Sequence, residues 1–344
     1  MYSTLNIKSL KGIYTIDFCK NIDDTVQKVL HCDVLLIDSK VYDLYKYHFQ
    51  DFKEVILFES NESNKTLEGV STILKAFTKR KLKSNAHVAV IGGGVLQDVA
   101  GFACSVYCRG IKYTLIPTTL LSQCDSCIGG KTSINFESVK NILGTFYPPE
   151  KIYICSHFTK TLYEADYLSG YGEIVKFNLL KDTLPNLAES IDSLIYDSLK
   201  YKIGIIELDE FDKRERKLLN FGHTFGHALE ITSNYNIPHG TSVLIGILIA
   251  NKLSLELGYL SKINESVTFE CIFQYIKHQE LQERWFDFNT LLDIVKLDKK
   301  NTGNIQMVLL TNQTPIITPI LNNDILKKVI KETYETIRLR HTIS

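Results

Sequence analysis

Short apolar runs and longer helix-like stretches alternate along the first part of the chain. "DVLLIDS" (33–39), "EVILF" (54–58), "HVAVIGGG" (87–94) and "KYTLIPTT" (112–119) read as strands, and residues 65–80 and 95–108 between them read as helices. Such alternation predicts a mainly parallel sheet with helices on its faces. From about Thr159 onward the strand signals fade and long helical patterns run to the end. The expected organisation is an α/β N-terminal domain over residues 1–158 followed by a mainly α-helical C-terminal domain over residues 159–344, which fits a chain too long for one ordinary core. "TSVLIGILIANKLSLELG" reads as a buried helix, and "DKKNTGN" (298–304) is the clearest late loop.

One helical stretch has an inverted pattern. In "RKLLNFGHTFGHALE" the residues Arg216, Asn220, His223 and His227 recur on a helical period and share the stripe that a helix normally gives to core packing. A polar inner face of this kind suits the wall of a cavity.

Composition narrows the partners. Lys+Arg and Asp+Glu are both 39, so the formal net charge is zero and any binding of anions has to be local. Neither nucleic acid nor a membrane surface is the expected partner. The N-terminus shows no signal-peptide pattern and no run is long enough to span a membrane, which points to the cytosol. Eight cysteines are present. The pairs Cys104/Cys108 and Cys124/Cys127 have the spacing of a four-thiolate zinc site, but they lie in apolar helix-like segments, and reduced, packed thiols are the preferred reading.

Four stretches carry candidate chemistry. "VAVIGGGVLQD" sets glycines between a strand and a helix, where bare backbone and a helix N-terminus suit a pyrophosphate, although a plain tight turn has the same look. Asp98 follows on the first turn, as a cap or as a contact to ribose or nicotinamide. "CDSCIGGKTSINFESVKNILG" groups Asp125, Lys131, Lys140 and Asn141 around a Gly-Gly turn, cations that a phosphorylated or carboxylated substrate needs. "GYGEIVKF" places Glu173 and Lys176 one turn apart, either as a surface ion pair or with Glu173 as a metal ligand. His223 and His227 lack the glutamate of an HExxH motif, and His239 in "IPHGTS" supplies another imidazole. Glu173, His223 and His239 then make a three-ligand, open zinc site and leave His227 for proton transfer.

Together these blocks resemble the 3-dehydroquinate synthases, within the sugar-phosphate cyclase group. "GGGVLQDVAGF", Arg109-Gly110, "PTTLLSQCDSCIGGKTSIN", "KNILGTFYPP", "GEIVK", "RKLLNFGHTFGHALE" and "PHG" occur in the family's order over roughly residues 60–300. The resemblance implies a Rossmann-like N-terminal domain that binds NAD, a helical metal- and substrate-binding domain, and an active site in the cleft between them. It implies zinc, or alternatively cobalt, on Glu173, His223 and His239. NAD would be held by Asp38, Glu62, Lys65, Gly93, Gly94, Val95, Asp98, Thr118, Thr119, Phe158, Thr161 and Leu162, with Lys131 and Lys140 close by.

The implied substrate is 3-deoxy-arabino-heptulosonate 7-phosphate, cyclised to 3-dehydroquinate and phosphate with transient reduction of NAD, a carbon–oxygen lyase step of the shikimate pathway to aromatic amino acids. Lys202 and Arg216 match residues that meet its carboxylate. Lys131, Asn141, His227 and Lys299/Lys300 match residues near its phosphate. Asp125, Lys140, Lys176 and Asn220 complete the pocket, and Arg109 matches a residue that reaches the neighbouring subunit's site in a homodimer. Gln97, Ser133 and Thr241 depart from the family pattern, where Gly, Gly and Glu are usual, and the stretch between Glu173 and His223 is short. The other readings are a paralogous cyclase for another sugar phosphate, an NAD- and metal-dependent polyol or glycerol-phosphate dehydrogenase, and a non-catalytic binding module.

Overall fold

The computed structural model describes residues 2–137, 139–186, 188–297, 305–320 and 322–343, and these fall into two compact units. The first comprises residues 1–163 and 190–211, and the second residues 164–189 and 212–344. A single boundary near residue 158 therefore has to be corrected: the chain leaves the first unit, returns to it for one helix, and leaves again.

The first unit is built on a seven-stranded sheet. Its strands are β1 (Leu5–Ser9), β2 (Gly12–Phe18), β3 (Val34–Asp38), β4 (Val55–Phe58), β5 (His87–Gly92), β6 (Lys112–Pro117) and β9 (Lys151–Ile154). They lie in the order β1-β2-β9-β6-β5-β3-β4, with β1 antiparallel to β2 and the other pairs parallel. The central strands are apolar almost throughout, as burial on both faces requires: every residue of β5 after His87 is buried. Helices α1 (Ile22–Gln27), α2 (Ser39–Tyr45), α3 (Leu67–Lys79), α4 (Gly94–Val106) and α6 (Ile191–Leu208) complete the unit. Between β6 and β9 lies a separate antiparallel hairpin, β7 (Lys131–Phe136) with β8 (Val139–Phe146).

Chain order reverses between β3 and β5: β4 is added on one side of β3, and β5 and β6 on the other. Crevices at the carboxyl ends of strands at such a reversal are the preferred ligand sites of open α/β sheets. The register Ile37↔Ile91 brings Asp38 beside Gly92 there. At the far edge, carboxylates from and just after α6 cap the free amides of β1, with Lys8 N donating to Glu207 and Leu10 N to Glu210, both at 2.9 Å. The strand edge is thereby closed to further pairing.

The second unit holds α5 (Glu164–Leu180), α7 (His223–Thr232), α8 (His239–Glu256), α9 (Lys262–Ile276), α10 (Phe288–Leu297) and α11 (Asn323–Ile343). It also has one hairpin, β10 (Gln306–Leu309) with β11 (Ile316–Pro319), where the sequence pattern predicts helix only. Those strands are four residues each, too short for a periodic signal, and they take strand form by pairing with each other. Helix α8 is buried on nearly every side, as its apolar sequence requires. No helix among the described residues is long and apolar enough to cross a membrane.

Candidate metal centre and glycine turn

In the second unit, three elements bring Glu173, His223 and His239 together. Glu173 lies midway along α5, and each histidine is the first residue of its helix, α7 or α8. Glycine explains the close approach. A Cβ on Gly172 would lie 2.4 Å from the Gly240 carbonyl oxygen, and one on Gly240 only 1.9 Å from that of Ser169. The backbones of α5 and α8 therefore touch at the residues adjoining Glu173 and His239. The turn before His223 also needs glycine, since Gly222 has φ +77 and packs against the Val243 carbonyl.

That turn corrects the expected polar stripe. Arg216 and Asn220 lie on a 3₁₀ segment, Glu215–Asn220, and Gly222 separates it from α7, so the four residues do not share one helix. Arg216 is buried and Asn220 half-buried.

The donor geometry suits a cation. One donor atom from each of Glu173, His223 and His239 lies within 4.8 Å of the others. His223 Nδ1 lies 3.1 Å from the Phe221 carbonyl oxygen, and His239 Nδ1 lies 3.2 Å from Glu230 Oε2. Each ring is thus held through Nδ1, and both Nε2 atoms face Glu173 Oε1, at 3.5 and 3.4 Å. The Glu173 carboxylate is fully buried and neither oxygen makes a hydrogen bond, although Lys176 pairs with it in the same interior. A buried carboxylate and two imidazole nitrogens converging on one point form the donor set of an open zinc-type site. The pair Glu173–Lys176 is not the surface ion pair that its spacing also allowed.

Electrostatics agree with the geometry. Burial pulls the Glu173 carboxyl upward, but Lys176 and His239 outweigh it and hold it well below the usual carboxylate range. Burial, with Lys176 and the other two histidines nearby, keeps His223 neutral at ordinary pH. Burial opposes charge on His239 too, yet the carboxylates of Glu173 and Glu230 beside it prevail and raise it to about 10. His227 stacks edge-on to His223, with ring centroids 5.1 Å apart, and forms a second close donor group with Glu230 and His239. Sequence reasoning passed over Glu230, although it closes the quoted "GHALE" and lies one helical turn beyond His227.

In the first unit, Gly93 precedes α4 and no side chain caps that helix. A Cβ on Gly94 would meet only Ser126 Oγ, at 3.9 Å, so protein packing alone does not demand glycine there. Gly94 and Val95, both half-buried, form the first turn, and Thr118 and Thr119 follow β6 next to it, Thr118 N donating to Gly92 O at 3.1 Å. Asp38 caps α2 through Val41 N, 2.9 Å.

Asp98 is the hub of a polar network. Lys65 pairs with it at 2.6 Å, Ser133 donates to it from both backbone and hydroxyl, and Lys65 and Ser133 both reach Asn141 Oδ1, at 2.7 and 2.9 Å. Burial lifts the Asp98 carboxyl above its ordinary value despite Lys65 and Ser133. The departure at Ser133 thus adds a hydroxyl that ties Asp98 to Asn141. Gln97, another departure, accepts from Ser126 Oγ at 2.9 Å. Thr241 is buried in the first turn of α8.

The lysines grouped around the Gly-Gly turn lie on the hairpin that follows it: Lys131 opens β7, and Lys140 and Asn141 lie on β8, all exposed. Glu62 accepts from Asn135 at 2.8 Å and lies 3.8 Å from Lys140. Lys202, on α6, is buried and joins Asp125 through its carboxylate and its carbonyl, both at 2.6 Å. Phe158 belongs to the core, Thr161 shares a hydrogen bond with Tyr45 at 2.9 Å, and Leu162 is half-buried. Arg109 is exposed with φ 65. Lys299 and Lys300 lie outside the described residues. The cysteines are free thiols; Cys104, Cys124 and Cys127 are buried and Cys108 is exposed, and the four do not form a donor group.

A glycine turn at a sheet reversal, followed by a helical unit with a carboxylate–imidazole cluster, defines a fold class seen in solved structures. A crystal structure of 2-deoxy-scyllo-inosose synthase complexed with carbaglucose-6-phosphate, NAD+ and Co2+ matches with a TM-score of 0.84 at 22% identity, covering 96% of this chain and 100% of that one. The 2-epi-5-epi-valiolone synthase of Streptomyces hygroscopicus, with NAD+ and Zn2+ bound, matches at 0.80 and 22% over 97% and 99%. The class is therefore the fold of the sugar-phosphate cyclases. In sequence, residues 55–169 match the 3-dehydroquinate synthase N-terminal family and residues 170–301 the 3-dehydroquinate synthase C-terminal family. A 3-dehydroquinate synthase of Clostridium tetani is 36% identical over 318 residues, 87% of this chain and 85% of its own. The chain belongs to the 3-dehydroquinate synthase family.

Proposed function

We propose that the protein is a 3-dehydroquinate synthase, a carbon–oxygen lyase that cyclises 3-deoxy-arabino-heptulosonate 7-phosphate to 3-dehydroquinate with release of phosphate. The observation that carries this reading is the convergence of two Nε2 atoms on a buried carboxylate, in a chain of this family. Glu173, His223 and His239 would hold a divalent ion, which would supply Lewis acidity toward a substrate hydroxyl, and the α4 turn would hold NAD, which would supply a reversible hydride acceptor.

The remaining roles belong to the chain's own groups. Glu230 and the Phe221 carbonyl fix the imidazole tautomers that leave Nε2 for the ion. The bare N-terminus of α4 and the open space at Gly94 suit a pyrophosphate, with Asp38, Glu62, Lys65, Asp98, Thr118, Thr119, Phe158, Thr161 and Leu162 as the other cofactor residues. Lys202 and Arg216 bind the substrate carboxylate; Lys131, Lys140, Asn141 and Lys299/Lys300 bind its phosphate and hold it in place. Lys202 trades its partner Asp125 for substrate in this scheme, and Asp125, Lys176 and Asn220 orient the ring hydroxyls. His227, adjacent to both imidazole ligands, moves protons. Homodimerisation, with Arg109 serving the neighbouring subunit, is part of the proposal.

The test is to incubate purified protein with the heptulosonate phosphate, zinc and substoichiometric NAD, following phosphate release and identifying the product by NMR. Phosphate release in excess of NAD, without accumulation of NADH, is the expected result. Steady NADH build-up would reassign the chain to the dehydrogenases, and turnover of a heptulose phosphate lacking the carboxylate, with none of the heptulosonate, would make it a paralogous cyclase.

A further inference from the structure

A third donor cluster, in the first unit, lies at the amino ends of the strands. His31 and Cys32 form the turn before β3, and His87 is the first residue of β5; one donor atom from each lies within 4.8 Å of the others. Nothing in their spacing along the chain announces the group. The fold creates it, because β3 and β5 are neighbours and their amino ends start level.

The backbone there is held firmly. Asp33 brackets His87, its N–H donating to the His87 carbonyl at 2.9 Å and its carboxylate accepting from His87 N at 2.8 Å. His87 Nε2 lies 2.8 Å from Thr114 Oγ1, so the tautomer that donates to threonine leaves Nδ1 with its lone pair available. Burial lowers the basicity of His87, which favours that neutral ring. Cys32 Sγ is buried with His31 Nε2 3.9 Å away, and the two imidazoles meet edge to face at 5.4 Å. His31 is exposed, giving an ion a way in. Two carboxylates stand by: Asp33, and Glu150 at 3.8 Å from His87 Nδ1, the latter also paired with Lys112.

We propose that His31, Cys32 and His87 form a second metal site, for a borderline-soft divalent ion of the zinc and cobalt class, separate from Glu173, His223 and His239. Two imidazoles and a thiolate select such ions over magnesium or calcium, which take oxygen ligands. Burial, with Asp33 and Glu150 nearby, pushes the Cys32 thiol up to about 12 in the metal-free protein. Coordination therefore expels the thiol proton to solvent as the sulfur–metal bond forms. A bound ion would tie the turn before β3 to the start of β5, stabilising the sheet by linkage.

Cobalt distinguishes the two sites, because a thiolate ligand gives a near-ultraviolet charge-transfer band that a carboxylate–imidazole set does not. Metal-free, reduced protein is titrated with Co2+ while bound metal and absorbance are followed. The expected result is two equivalents per chain and a thiolate band. Cys32→Ser should remove the band and one equivalent, and His31→Ala, at an exposed position, should weaken that equivalent at least tenfold with turnover unchanged. His223→Ala should lose the other equivalent and keep the band. Absence of a thiolate band in the wild type, or a band that survives Cys32→Ser, overturns the proposal whatever the outcome at the catalytic centre.

Discussion

His223 and His239 are each oriented from behind, but by acceptors of different kinds: a backbone carbonyl for one and the Glu230 carboxylate for the other. Only the second can be removed by mutation. Glu230→Ala is expected to weaken metal binding about 10- to 100-fold, the usual cost of losing such a partner. Glu230→Gln keeps an acceptor oxygen and should lose less; competition with a chromogenic chelator measures both. Proton linkage gives a second prediction. Because His239 is raised to about 10 in the metal-free protein, it carries its extra proton below that pH and must release it on coordination. Affinity should therefore rise about tenfold per pH unit through neutrality, with about one proton released per ion, as calorimetry in buffers of different ionisation enthalpy would show. His223 and His239 could be singled out as candidate ligands because histidine beside glycine is an odd choice for a packed helix. Glu230 was not, since a carboxylate near a helix end has the look of an ordinary solvated charge until the fold sets it against His239.

Between elements, glycine decides how near two helices come. Gly240→Ala would place a methyl group 1.9 Å from the Ser169 carbonyl oxygen and force α5 and α8 apart. The expected cost is about 1–3 kcal/mol of stability, together with weaker metal binding, since Glu173 and His239 adjoin that contact. Gly204, in α6, has open space where a Cβ would lie, with nothing within 4 Å, and no unusual φ. Gly204→Ala should instead stabilise by roughly 0.5–1 kcal/mol, so thermal unfolding should move in opposite directions for the two variants. The central strands could be read from the sequence because burial on both faces makes them uniformly apolar. The β7–β8 hairpin could not: β8 is exposed over Val139–Ile142, and its Lys, Asn and Gly residues match the composition of a loop.

Over the whole molecule, the prospective dinucleotide residues belong to one unit and the metal ligands to the other. They share no residue and no element. His223→Ala should accordingly abolish metal-dependent turnover yet leave NAD affinity within about twofold, which fluorescence titration can check. The first unit is itself discontinuous, closed by a helix that follows a segment of the second. That connectivity constrains synthesis on the ribosome. A nascent chain released at Tyr163 would have neither the ammonium of Lys202 for Asp125 nor the carboxylates of Glu207 and Glu210 that shield β1. A gene fragment cut at the apparent domain border should yield a sticky, aggregation-prone product, and any dissection of this protein has to carry residues 190–211 along with the N-terminal piece.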